Sequence, residues 1–306
     1  MAVPSPRPFL LPARAPVGPL RRPNLSDRPA RVPTGVPDFD YLTGGVPVGS
    51  VVLLWGAAGA GHQEFAATSA VHLMLHYDLP DLHQFFLGGA KGPFVYPDGV
   101  VYVSTSRSRT QVVDELRGSF EPEYAETLQR HLTFLDLSRE YFAETVVPAS
   151  WSAVPSPLLG GGSQSRANDG GPLRGLVDGL EAHAGRQLVV VDSLTDLVVR
   201  RGVEPGELLT VLKGLRRRAK EWNAVVYLLL SEGVAPPAVE QALLDSVDGV
   251  LHFSWTSSPS HSHRQRTMVI EKFMSVLAHV PAEHHGRFVI RVGAKNGLVT
   301  MQYERV

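Results

Sequence analysis

VVLLWGAAGAGHQEF, residues 51–65, is the stretch that decides how this chain folds. Val51-Val52-Leu53-Leu54-Trp55 is an apolar run of strand length, and it feeds directly into GAAGAGHQ at 56–63. Gly56 and Gly61 stand at the spacing of G-x-x-x-x-G-K-[ST], the loop whose backbone N–H groups cradle phosphates at a helix N-terminus. Gly59 adds a third glycine. The lysine position holds His62 and the hydroxyl position holds Gln63. The loop spacing is kept and its two functional side chains are gone, which predicts a nucleotide-site fold with little hydrolytic power.

The surrounding composition bounds the alternatives. The chain has 306 residues, 43% hydrophobic and 19% charged, with net charge −1. That supports one large domain, and the near-zero charge exerts no general pull on nucleic acid. The absence of cysteine excludes disulfides, thiolate metal sites and cysteine nucleophiles. Apolar stretches such as 188–191 and 225–230 have strand length, far below the ~20 residues that span a bilayer. With no signal-like segment either, a cytoplasmic location is expected. Residues 1–33 carry nine Pro and six Arg against one Asp, so residues 1–31 are expected to be a disordered tail and 32–306 the folded domain.

Along the domain, strand-like and helix-like runs alternate, the pattern of βαβ units and a parallel sheet. Strands are expected at 51–55, 100–104, 131–137, 187–191 and 225–231, and helices at 64–77, from 111, at 173–183 and at 207–222. Residues 78–99 read as an irregular insertion and 152–172 as a Gly/Ser/Pro-rich loop. Beyond 249 the runs 249–255, 267–273, 288–292 and 298–303 read as strands without helices between them. Asn296-Gly297 signals a tight hairpin. The expected fold is α/β, with helices on both faces of a mainly parallel sheet and an antiparallel C-terminal extension.

A series of motifs narrows that expectation to a RecA-like P-loop fold. Residues 32–50, VPTGVPDFDYLTGGVPVGS, carry Thr34-Gly35, Phe39-Asp40, Leu42, Gly44-Gly45 and Gly49-Ser50 ahead of the strand and loop. VVVDSLTDL at 189–197, Asp248-Gly249-Val250, and RTMVIEKF at 266–273 follow in order. Together these resemble the RecA/RadA/KaiC superfamily, closest to its KaiC-like archaeal branch, over residues 32–306. The resemblance implies a nucleotide site at Gly56, Gly59, Ala60, Gly61, His62, Gln63, Asp192 and Ser193, and ATP or ADP with Mg²⁺ linked through Asp192. It implies a lysine, Lys272, that reaches the neighbouring subunit's nucleotide, and assembly into a ring of identical chains, hexameric in the family.

The departures from the family pattern are concentrated where chemistry would occur. The phosphate lysine and the Mg²⁺ hydroxyl are replaced at His62 and Gln63. The two catalytic glutamates expected after strand 100–104 are replaced by Ser106 and Arg107, and arginine stays protonated and cannot act as a base. No catalytic residue is therefore assigned. The leading expectation is a regulatory, signalling or assembly module that binds ATP weakly or not at all. The alternatives are an ATPase with a variant site and a recombinase-like DNA-binding relative. Residues 232–248, where the family's DNA loops lie, hold no Lys or Arg, which speaks against DNA. Asp192 also has a purely local reading as a helix cap, and Lys272 as an edge-strand charge. His261, His263, His284 and His285 lack the spacing of a metal site.

Overall fold

The computed structural model describes residues 30–90, 92–152, 171–257, 264–278, 280 and 286–305. The chain opens with β1 (Arg31–Val32), α1 (Pro37–Thr43) and β2 (Val46–Pro47), then enters β3 (Val51–Gly56) and α2 (His62–Asp78). Next come α3 (Pro80–Phe86), β4 (Val100–Ser104), α4 (Arg109–Ser119), α5 (Pro122–Arg130), β5 (Leu132–Asp136) and α6 (Ser138–Phe142). The second half runs α7 (Gly171–His183), β6 (Leu188–Asp192), α8 (Leu194–Val199), α9 (Pro205–Trp222), β7 (Val225–Ser231) and α10 (Pro237–Asp245). It closes with β8 (Gly249–Ser257), β9 (Arg264–Lys272), α11 (Met274–Leu277), β10 (Gly286–Gly293) and β11 (Gly297–Arg305).

Nine strands form one sheet in the order β11-β10-β9-β8-β3-β7-β6-β4-β5. From β8 to β5 every pairing is parallel. From β8 to β11 every pairing is antiparallel. The parallel half needs helical crossovers, whereas the antiparallel half closes by direct returns. β3 is buried on both faces, as a continuous apolar run in a parallel sheet requires. Val52 and Leu54 join the core under α2, and Val51 and Leu53 join the core under α7, α9 and α10. The helix α2 is apolar nearly all round and correspondingly buried. By contrast α9 buries only the stripe Leu208, Leu212, Leu215 and Ala219. Its arginines are paired: Arg216 with Asp248, and Arg218 with Glu181 and Glu221.

Several sequence expectations are corrected. Arg31 belongs to the fold, not the tail: it pairs in β1 and donates to the carbonyls of Thr43, Gly45 and Ser275 at 3.0, 3.0 and 2.8 Å. The stretch read as an irregular insertion contains α3. A short helix, α11, interrupts the late strands. The hairpin at Asn296-Gly297 is present, but its loop spans 294–296, with Lys295 at φ 84° and Gly297 at φ 70°. Backbone bonds from Lys295 to Ser119 and from Glu121 to Lys295 pull the loop against the end of α4 and widen it beyond a two-residue turn. The tail up to residue 29, most of the loop at 152–172, and His261, His263, His284 and His285 lie outside the described residues.

The Thr34–Asp40 motif proves to be a structural latch. Buried Asp40 accepts from the Thr34 N–H, the Thr34 hydroxyl and the Gly35 N–H at 2.7, 2.8 and 2.8 Å. Gly35 has φ 74°, and a Cβ there would come within 2.6 Å of His72. His72 of α2 answers through Nδ1, 2.7 Å from the Gly35 carbonyl, and stacks on Phe86 of α3.

Burial pulls the His72 imidazole from 6.5 down to about 4. The folded chain holds it neutral, so its contribution is complete above pH 6.5 and is lost as pH falls toward 4. Asp40 acts oppositely, because burial pushes its carboxyl up to about 7 against the pull of the Thr34 and Gly35 donors. Protonating Asp40 therefore adds stability as pH falls below 7. Comparison with His72→Asn isolates the histidine. The stability gap between wild type and variant in urea denaturation is expected to narrow by about 3 kcal/mol between pH 7 and pH 4. A gap independent of pH would contradict this assignment.

Candidate functional site

The site lies at the C-terminal edge of the parallel strands, where β3 turns into α2. The glycines of this turn are demanded by packing. A Cβ at Gly56 would lie 2.6 Å from the Phe253 carbonyl oxygen, and one at Gly61 (φ 120°) would lie 2.8 Å from Ile290. Ala60 is fully buried and its N–H closes the loop on the Ala57 carbonyl at 3.0 Å. Gly59 takes φ 69° and sits beside Trp255. The loop spacing is thus sustained by contacts to β8 and β10 that involve no ligand.

His62 opens α2 and is 5% exposed. Its ring packs at 6.3 Å from Phe253, and its Nδ1 is buried without a hydrogen-bond partner among the described residues. Burial lowers its pKa, with Glu64 and Asp192 only partly opposing. At neutral pH the position that would carry an ammonium therefore carries a neutral ring. Gln63, next along, is exposed.

Asp192 ends β6 and is also 5% exposed. Its Oδ2 accepts from the Tyr102 hydroxyl at 2.6 Å and from Arg107 Nη1 at 3.2 Å. Tyr102's phenol is pushed well above its ordinary range by burial and then by Asp192, so it stays protonated and donates. Burial works against Arg107's charge, but Tyr102, Glu115 and Asp192 outweigh it and hold the guanidinium protonated more firmly than usual. Arg107 also pairs with Glu115 of α4. The arginine in the expected catalytic-carboxylate position thus places a fixed cation against the strand-end aspartate.

The remaining expected residues are held locally. Ser193, not Asp192, caps α8 by accepting from the Asp196 N–H. Ser106 donates to Asp196 at 3.1 Å. Lys272 is not on an edge, because β9 lies between β8 and β10. Its ammonium donates to the carbonyls of Leu244 and Asp245 at 3.1 and 2.8 Å, at the C-terminal end of α10, where cations are favoured. Gly56–Gln63, Asp192 and Arg107 are therefore brought to one region, while Lys272 is engaged with α10.

Sequence reasoning missed two groups. Tyr102 was hidden inside an ordinary β run, although a tyrosine among valines facing a helix is a signal for a buried hydroxyl partner. Trp255 and Arg266 grip the outer side of the loop, donating to the carbonyls of Ala58 and Gly59 at 3.1 and 2.8 Å. Arg264 and Arg266 both lie over the Trp255 ring, 4.9 and 4.8 Å from its centre. The alternation Arg264-x-Arg266 on one strand face was the available clue.

Strand, glycine turn, buried helix and the sheet order together define a RecA-like α/β fold. No protein-family model matches the chain, and no curated protein matches it. Among solved structures it is similar to a KaiC-like protein from the hyperthermophilic archaeon Pyrococcus horikoshii. The two are 18% identical, with 89% of this chain and 99% of that chain covered and a TM-score of 0.56. The likeness shows the fold. Among the described residues no helix is long and apolar enough to cross a membrane, and no cluster of His, Cys, Asp and Glu is arranged to hold a metal.

Arg107→Met leaves Asp192 with Tyr102 alone and is expected to cost about 1–3 kcal/mol in urea denaturation. Adding Asp192→Asn removes the uncompensated charge and is expected to recover most of that loss. Equal cost of Arg107→Met in both backgrounds would mean that the pair is uncoupled.

Proposed function

We propose that this chain is a KaiC-like module whose hydrolytic centre has been dismantled, and that it acts in regulation, signalling or assembly. The observation that carries the reading is the Arg107–Asp192 pair. A magnesium ion needs several oxygen ligands in octahedral array. Here the strand-end carboxylate is already bound by a guanidinium and a phenol, and the hydroxyl position holds an amide. The residues present do not fit a magnesium–nucleotide complex of the family type. The neutral, buried His62 supports the same reading, since replacing a charged partner of a phosphate forfeits about 1.5–3 kcal/mol.

The family likeness supports assembly of several copies in the cytoplasm, with Lys272 available to a neighbour only after leaving α10. Arg264 and Arg266 favour a second reading, in which nucleotide is retained as a structural ligand without turnover. They bring positive charge to the loop's outer side.

Calorimetry with Mg-ATP and Mg-ADP, alongside a turnover assay and light scattering, tests both. The expected results are turnover indistinguishable from blank, affinity no better than millimolar, and a solution mass that is a multiple of 33.2 kDa. His62→Lys with Gln63→Thr is expected to improve ATP affinity about tenfold or more. Micromolar binding without turnover would select the second reading. Turnover that disappears in Asp192→Ala would overturn both, and a strictly monomeric mass would overturn assembly.

A further inference from the structure

A cavity of about 370 Å³ opens between α2, α4 and the β10–β11 hairpin. Its lining includes Gln63 but none of the loop residues Gly56–Gly61. The space therefore lies beside the phosphate loop, under the groove between the two helices. Tyr102 and Leu229 of the sheet form its floor, and the hairpin tip at Gly293 and Gly297 forms its far wall. That wall is fixed, because the hairpin loop is bonded through its backbone to Ser119 and Glu121. Small residues make the room: Ala66 and Ala67 on α2 face Val112 and Leu116 on α4. The volume is within the range of small-molecule pockets and suits a ligand of about a dozen heavy atoms.

The charges around the cavity do not balance. Glu64 and Glu115 line it, Arg107 lines it, and Asp192 stands behind Arg107. One guanidinium thus faces three carboxylates. Other basic groups around α2, α4 and the hairpin are engaged or neutral: Lys295 pairs with Glu121 at 2.8 Å, Arg117 with Asp114 and Gln129, and His62, which Glu64 attracts electrostatically, is held toward its neutral form by burial. The carboxylate of half-buried Glu64 has no hydrogen-bond or ion-pair partner among the described residues. Only its main-chain carbonyl is used, by Thr68. A chamber with an apolar wall of Val112, Leu116, Phe120 and Leu229 and surplus negative charge is complementary to a cation carried on an apolar body.

We propose that this cavity is a binding site for a small organic cation, an ammonium attached to an aromatic or branched aliphatic body. Glu64 takes the ammonium, and Leu116, Phe120 and Leu229 enclose the body. The site shares Gln63 and Arg107 with the candidate nucleotide region but none of the loop glycines, and Glu64, which takes the ammonium, has no part in the nucleotide reading.

The test is calorimetry at low salt with phenethylamine, its neutral analogue 2-phenylethanol and its anionic analogue phenylacetate. The amine is expected to bind about tenfold more tightly than the alcohol, and phenylacetate not at all. Glu64→Gln is expected to erase the preference for amine while leaving alcohol affinity unchanged. Ala67→Phe fills the chamber and is expected to abolish binding of both. In the unmodified protein, 4-azidophenethylamine is expected to label peptides from 63–67 or 112–120 on irradiation, a readout that does not depend on a variant folding. Alcohol binding as tightly as amine, an amine affinity unchanged in Glu64→Gln, labelling confined to other peptides, or no binding at millimolar amine would each overturn the proposal. The amine titrations are run without nucleotide, so ATP binding or its absence does not enter them and the two readings fail separately.

Discussion

The strand β3 is the constraint on which the rest of the molecule depends. It is the only described strand with a parallel neighbour on one side and, on the other, the strand from which the antiparallel half begins. Burial on both faces commits it to apolar residues, and its exit must pass directly beneath β8. Gly56 can make that passage because a side chain would strike the Phe253 carbonyl. Gly61 can enter α2 because a side chain would strike Ile290. Those two close approaches lock helix to sheet and set where His62, Gln63 and the cavity must lie.

The same approaches hold the glycine spacing of the β3–α2 turn without any ligand. The backbone path is required by the core, so the spacing does not depend on which side chains follow it. Those side chains are neutral or satisfied within the chain. His62 makes an aromatic contact with Phe253, and Arg107 pairs with Asp192. The polar groups at the strand ends now stabilise one another through Tyr102, Thr105, Ser106 and Asp196.

Much of the architecture was legible in the residues. The strands of the parallel half are short, continuous and apolar, and no helix of that length could bury such a run. The helices read less well, for a physical reason. Five of those described begin at a proline, at Pro37, Pro80, Pro122, Pro205 and Pro237. Proline's missing N–H is harmless there, since the first N–H groups of a helix have no partner within it. In sequence the same residue reads as a breaker, which is why α3 was taken for irregular chain. The hairpin was legible from Asn296-Gly297, but its three-residue loop was not, because that loop is shaped by the end of α4, where Phe120 bridges Lys295 and packs under Gly297 although it is far away in sequence.

By itself the sequence determined the order of strands along the chain, the strand–glycine–helix unit, and the presence of His62, Gln63, Ser106 and Arg107 at the strand ends, because each is a matter of local residue type and spacing. The tertiary structure alone decided what those residues meet. That Arg107 neutralises Asp192 depends on β4 and β6 lying side by side although 85 residues separate the two side chains. That Lys272 serves α10, and that Glu64 faces a chamber whose one guanidinium is already paired with Glu115 and Asp192, depend equally on which elements the sheet brings together. Hydrophobic periodicity specifies which face of an element is buried. It does not specify which charges meet when those faces are packed.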